Sequence, residues 1–211
     1  AAFPTQVHDG EDIRSDMILL AISAYERELV TTGAKYDGFV GGNFDLYSLP
    51  EKRGFMTFFG KGQCGSCHRG PMLSDYTFRC QGVGDAYDRA IPGFAGKNGQ
   101  GGDWGRYHGL SEGDPARQFA KYAFRVVSLR NVELTPPYFH SGSARTLREV
   151  VEFYNRGGQG PEDISDATIA EAGTMRDPAI VPLGLTDTEI DDLLAFMKTL
   201  TGTLPPGPDG L

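Results

Sequence analysis

Cys64, Cys67 and His68 stand in the pentad Cys64-Gly65-Ser66-Cys67-His68, and this spacing has a specific chemistry. Two thiols three residues apart can form thioethers to the two vinyl groups on one edge of a porphyrin. The histidine that follows is then held beneath the iron as an axial ligand. C-x-x-C-H therefore reads as a c-type haem attachment site. Two other chemistries use paired cysteines. A zinc site would want a second ligand pair at similar spacing, and the sequence has none. Cys80 is the only other cysteine, and His8, His108 and His140 are scattered singly. A thioredoxin-like couple should follow a strand and open a helix, whereas a glycine-rich turn precedes this motif.

The second axial ligand decides what such an iron does. Methionine closes the site for electron transfer, tyrosine is a harder anionic ligand that stabilises high oxidation states, and an empty position admits peroxide. Met72 is too close to His68 to reach the opposite face, and Met17 and Met56 precede the motif on helices. Met197 falls on the apolar stripe of the last helix, where a methionine packs the core. Met175, His140 and Tyr154 stay open. Tyr154 lies on the inward face of a helix, where it points at whatever that helix covers.

The elements that must position these groups are helices joined by irregular chain. Residues 1–14 carry no periodic signal and read as an extended arm. Ser15 to Val30 reads as a helix capped by Ser15, with Ile18, Ile22, Tyr25 and Leu29 in one stripe. Residues 33–47 read as loop. A second helix begins at Ser48, where Ser48 and Glu51 form a capping box and Pro50 sits in the first turn, and it stops at Gly60 just before the motif. Residues 69 to about 120 are the least regular part, with ten glycines between Gly82 and Gly113. This stretch, which holds Trp104, Arg106, Tyr107 and His108, reads as an insertion folded over one haem edge. Phe124 to Leu129 reads as extended, and Thr135-Pro136-Pro137-Tyr138 as a rigid turn. A third helix starts at Thr146, boxed with Glu149, and buries Leu147, Val150, Val151 and Tyr154 before Gly157-Gly158. Residues 159–183 read as loop with a helical turn near Ile169. The last helix is capped by Thr186 and Glu189, buries Ile190, Leu193, Leu194, Met197 and Leu200, and closes at Gly202 and Pro205-Pro206. The expected fold is all-α: a cytochrome c-like domain whose long irregular loops wrap a covalent haem.

Composition sets the outer bounds. The 211 residues suffice for one good core or two small ones. A net charge of -8 argues against nucleic acid and anionic membrane as partners, and suits a basic electron-transfer protein. No apolar run is long enough to span a bilayer. Covalent haem attachment is completed outside the cytoplasm, so a periplasmic location is expected, with a leader removed ahead of Ala1-Ala2. With two thiols given to haem, Cys80 reads as a buried small hydrophobe.

Four segments resemble one family. They are Gly62 to Pro71, Ser128 to His140, Thr146 to Gly158, and Pro182 to Thr186. Together they are similar to the C-terminal half of bacterial di-haem cytochrome c peroxidases and their MauG-type relatives. Ala21 to Val30 resembles the end of that family's N-terminal domain. The resemblance divides the chain into an arm and helix at 1–47 and a cytochrome c-like haem domain at 48–211. It implies that Cys64, Cys67 and His68 hold the electron-transfer haem. It also implies that the distal ligand comes from the helix after the Pro-Pro-Tyr-Phe-His turn, where the peroxidases carry methionine and the MauG-type enzymes tyrosine. Tyr154 becomes the favoured distal ligand, with Met175 second. Calcium is implied between the family's domains, on the backbone carbonyls of Thr135 and Pro137, and Arg130 resembles an arginine near the haem propionates.

One departure is large. The sequence holds a single C-x-x-C-H, so the peroxide-reacting haem of the family lies outside it, and Trp104 does not obviously replace the family's relay tryptophan. Three functions follow. One is the electron-relay half of a peroxidase or MauG-like oxidoreductase, working with another haem-bearing domain or chain and with a protein donor or substrate. Another is a stand-alone mono-haem carrier. The third is a single haem with an open distal side that itself reacts with peroxide.

Overall fold

The structure is a computed structural model and describes residues 14–83, 104–140, 142–158 and 176–203. His8, most of the N-terminal arm, the turn near Ile169, Met175 and Pro205-Pro206 lie outside the described residues, as does much of the glycine-rich stretch before Trp104.

Among the described residues the helices are α1 (Ser15–Glu28), α2 (Lys35–Val40), α3 (Leu49–Phe59), α4 (Leu147–Asn155) and α5 (Asp187–Lys198), linked by loops and short 3-10 turns. The expectation of an all-α fold needs one correction. Strands β1 (Phe78–Cys80) and β2 (Ala123–Arg125) pair antiparallel, with Phe78 opposite Arg125 and Cys80 opposite Ala123. Three residues are too few to show a period of two, which is why β1 left no trace in the sequence. The chain is helix-rich with a small two-stranded sheet.

The capping chemistry of α3 and α5 is as the sequence implies. Ser48 and Thr186 each accept from the backbone N–H three residues on, and Glu51 and Glu189 return to the cap backbone. On α4 the Thr146 hydroxyl caps Glu149, but the Glu149 carboxylate takes the N–H of Arg145 instead at 2.6 Å. Helix α1 differs more. Its N-cap is Arg14, without a side-chain cap, and it ends at Glu28. Its stripe is not buried: Ile18, Ile22, Tyr25 and Leu29 are exposed. Helix α2 forms inside the stretch read as loop, because six residues with a central glycine carry no readable period.

Helices α3 and α5 cross at the centre of the core. Phe196 of α5 is fully buried, with its ring 5.0 Å from Phe58 and 5.6 Å from Phe55 of α3. The helices approach this closely because residue 54 is glycine: a Cβ there would lie 1.9 Å from the Asp192 carbonyl oxygen. Arg53 clamps the same crossing with two hydrogen bonds to the buried Asp192 carboxylate, at 2.6 and 2.8 Å. Tyr36, Tyr47, Leu73, Leu129, Val132, Val151, Leu193 and Leu200 complete this core, and Met197 packs into it as expected. Each large side chain buried here contributes roughly 2 kcal/mol. Cys80 is buried with Tyr122 in a second, smaller cluster against which Trp104 packs.

Candidate functional site

The motif folds as a tight 3-10 turn, Cys64–Ser66, entered through Gln63 in the left-handed region at φ 53°. The Cys64 carbonyl accepts from the N–H of Cys67 at 3.3 Å and of His68 at 2.9 Å. Gly65 is required here, because a Cβ would meet the Phe59 ring at 2.4 Å. The end of α3 thus presses directly on the motif.

His68 follows the turn with its ring oriented. Its Nδ1 is 2.9 Å from the Leu73 carbonyl oxygen. A carbonyl can only accept, so Nδ1 carries the proton and Nε2 is left with a lone pair that could ligate a metal. Burial lowers the imidazole pKa, against the opposing pull of the Leu73 carbonyl, Asp75 and the Val127 carbonyl. The neutral imidazole needed by a metal is therefore favoured. Burial also pushes the Cys64 thiol up to about 12.

These groups line an open cleft of about 650 Å³, part of it continuous with solvent. Cys64, Cys67, His68 and Tyr154 all face it, and Val126, Ile180, Val181 and Leu183 make an apolar wall. Tyr154 comes from α4, eighty-six positions after His68 in the chain. Burial raises its phenol pKa well above the usual range, with Cys64 and Cys67 adding to the effect.

The other candidates lie elsewhere. Arg130 does not line the cleft: Nε and Nη2 donate to the Pro71 carbonyl at 2.9 and 2.6 Å, and Nη1 pairs with Asp37. Thr135 and Pro137 are exposed, beyond a 3-10 turn at Val132–Leu134. No group of three or more His, Cys, Asp or Glu side chains that could hold a metal ion occurs among the described residues. His140 stacks on Phe124 at 4.1 Å, and Met72 and Met56 are exposed. Of the distal-ligand candidates among the described residues, Tyr154 is the one that lines the cleft.

Sequence reasoning missed Arg79, Gln81 and Asp177. Arg79 lines the cleft and donates from Nη1 to Asp177 at 2.7 Å and from Nη2 to Asp75 at 3.1 Å. Its Nε is buried and has no acceptor. Arg79 and Asp177 are ninety-eight positions apart, and no local pattern joins them.

The donor set suits a covalent haem c. Two thiols, an oriented imidazole and a phenol face one space, Val126, Ile180, Val181 and Leu183 give it an apolar side, and a buried guanidinium nitrogen of Arg79 lacks an acceptor.

Relatives are found over almost the whole chain. No family model matches the chain. It is 31% identical over 206 residues to cytochrome-c peroxidase IdrP1 of Pseudomonas sp. (strain SCT), covering 88% of this chain and 49% of that protein. It is 31% identical over 200 residues to cytochrome c551 peroxidase of Nitrosomonas europaea, covering 95% and 48%. Against methylamine utilization protein MauG of Methylorubrum extorquens the identity is 27%, covering 94% and 49%. Among solved structures, a MauG-like protein associated with microbial copper homeostasis superposes with a TM-score of 0.69 at 31% identity, covering 94% of this chain and 61% of that one. The di-haem peroxidase BthA of Burkholderia thailandensis superposes with a TM-score of 0.67 at 25% identity, covering 84% and 49%. The chain belongs to the family of di-haem cytochrome c peroxidases and MauG proteins. It spans about half the length of the curated relatives it matches.

Proposed function

We propose that this chain is the C-terminal, electron-transfer half of a di-haem peroxidase or MauG-type oxidoreductase. It would relay electrons between a protein donor or substrate and a peroxide-reacting haem in another domain or chain. The observation that carries this reading is the convergence of Cys64, Cys67, His68 and Tyr154 on one cleft.

Haem c, when bound, supplies a reversible one-electron centre. Around it the chain's residues have separate tasks. Cys64 and Cys67 would hold the cofactor covalently, and the Leu73 carbonyl keeps the His68 proton on Nδ1. Tyr154 would be the phenol offered to the iron, and burial holds its proton on in the cofactor-free site. Val126, Ile180, Val181 and Leu183 would offer the cofactor an apolar face. Methionine from position 175 is the alternative ligand.

Further parts of the reading stand with it. They are an extracytoplasmic location, calcium on the carbonyls of Thr135 and Pro137, Arg130 near the propionates, and a division of the chain at 47/48. No helix among the described residues is long and apolar enough to cross a membrane. Helix α1 contributes no buried residue to this core, which suits a helix belonging to a neighbouring haem domain.

A second reading is a stand-alone mono-haem carrier built on the one C-x-x-C-H. Haem count against mass separates the two, by pyridine haemochrome and native mass spectrometry of the native particle. Two c-haems in a particle well above 22.9 kDa support the di-haem enzyme. One haem per 22.9 kDa chain, with no partner, overturns it.

A further inference from the structure

We infer that Arg79 binds a haem propionate in this cleft, through Nε–H. The inference rests on the haem c reading above and concerns a residue which the family resemblance does not single out.

Arg79 lies in the middle of β1, opposite Phe124, between two residues of different fate. Cys80 turns to the small cluster with Tyr122, so the pleat sends Arg79 to the other face of the strand, where it lines the cleft. Two carboxylates then fix its plane. Nη1 donates to Asp177 and Nη2 to Asp75, whose side chain is almost wholly buried. Of its three nitrogens, Nε is the one left buried and without an acceptor. A buried unpaired donor on a charged group is costly, and native proteins rarely keep one. A c-type haem brings two carboxylates into such a cleft, and either would supply the missing acceptor.

The two aspartates do not rule out a third carboxylate. Asp75 also accepts from the Thr77 N–H and hydroxyl at 3.0 and 2.7 Å, and Asp177 from the Ala179 N–H at 2.9 Å. Arg79 is therefore not their sole support. The contrast with Arg130 points the same way. Each nitrogen of that guanidinium already has an acceptor, on Pro71 or Asp37, and Arg130 does not line the cleft.

The competing role for Arg79 is purely mechanical, a tie between β1 and residues 176–183 of the cleft wall. Charge separates the two roles. Removing a cation from beside the haem favours the ferric state and lowers the midpoint potential, while removing an anion raises it. The test uses the haem-loaded protein, its Arg79→Gln, Arg79→Lys and Asp177→Asn variants, spectroelectrochemical midpoint potentials, and the propionate bending modes in resonance Raman. The expected results are a lowered potential and a shifted propionate mode in Arg79→Gln. Arg79→Lys keeps the charge but has no Nε–H, so it should hold the potential near the parent while shifting the mode. Asp177→Asn should raise the potential and leave the mode in place. Potentials that move the same way in Arg79→Gln and Asp177→Asn, with propionate modes unchanged in both arginine variants, overturn the assignment and leave the mechanical tie. A parent protein without covalent haem overturns this inference together with the reading beneath it.

Discussion

The His68 imidazole and the Leu73 carbonyl stand 2.9 Å apart, across a loop of five residues that folds back beneath the motif. Leu73 can offer that carbonyl because its own backbone is left-handed, at φ 50°, with its side chain fully buried in the main core. The orientation of the His68 ring is thus anchored by core packing. Replacing Leu73 with alanine should cost about 2–5 kcal/mol of stability, from the lost apolar contacts and the cavity left behind. A denaturant melt measures the loss. The iron–histidine stretching frequency of the reduced, haem-loaded variant should broaden as the imidazole loses its fixed partner.

Tyr154 is the distal-ligand prediction. Tyr154→Phe should abolish any tyrosinate-to-iron charge-transfer band in the ferric optical spectrum and raise the midpoint potential, because an anionic ligand is lost. A ferric spectrum identical to the parent's would move the assignment to Met175, and Met175→Ala would then be the variant to record.

Gly54 gives a stability prediction independent of haem. Alanine there places a Cβ against the Asp192 backbone carbonyl, which cannot swing aside as a side-chain tip can. Gly54→Ala should lower stability by about 1–3 kcal/mol through separation of α3 and α5, despite the better helix propensity of alanine. Calorimetric or optical melting of the variant checks it.

Asp75 gives a pH dependence. Burial pushes its carboxyl up, but hydrogen bonds from Thr77 and Arg79 outweigh it and hold the pKa at about 2, below the usual 3.8. A depressed folded-state pKa means that the stabilisation is fully present above 3.8 and is lost as pH falls from there toward 2. Asp75→Asn should be less stable than the parent at pH 6, and the difference should close as the pH is lowered through that window. A difference constant from pH 6 to pH 3 would show that the charge of Asp75 does not matter.

What the sequence by itself determined was everything carried by adjacency. C-x-x-C-H brings its three groups together within five residues, and the Ser48/Glu51 and Thr186/Glu189 boxes are complete within four, so each is legible without knowing the fold. The stripes on α4 and α5 were legible for the same reason, although the sequence reading missed Phe153 on α4 and Phe196 on α5, both of them buried. Tyr154 was visible on a helix face, but its rank among the candidates came from a family resemblance, and only the tertiary structure decided that it shares a cleft with Cys64, Cys67 and His68. The same holds for Arg79, which finds its partners Asp75 and Asp177 across a loop and across half the chain, and for Gly54, whose meaning is the distance to another helix. It also holds for α1, whose regular stripe predicts burial that the described residues do not supply. The physical reason is one of range. Capping and periodicity act over one or two turns of backbone, whereas a cleft is assembled from segments that meet only after α3 and α5 have packed.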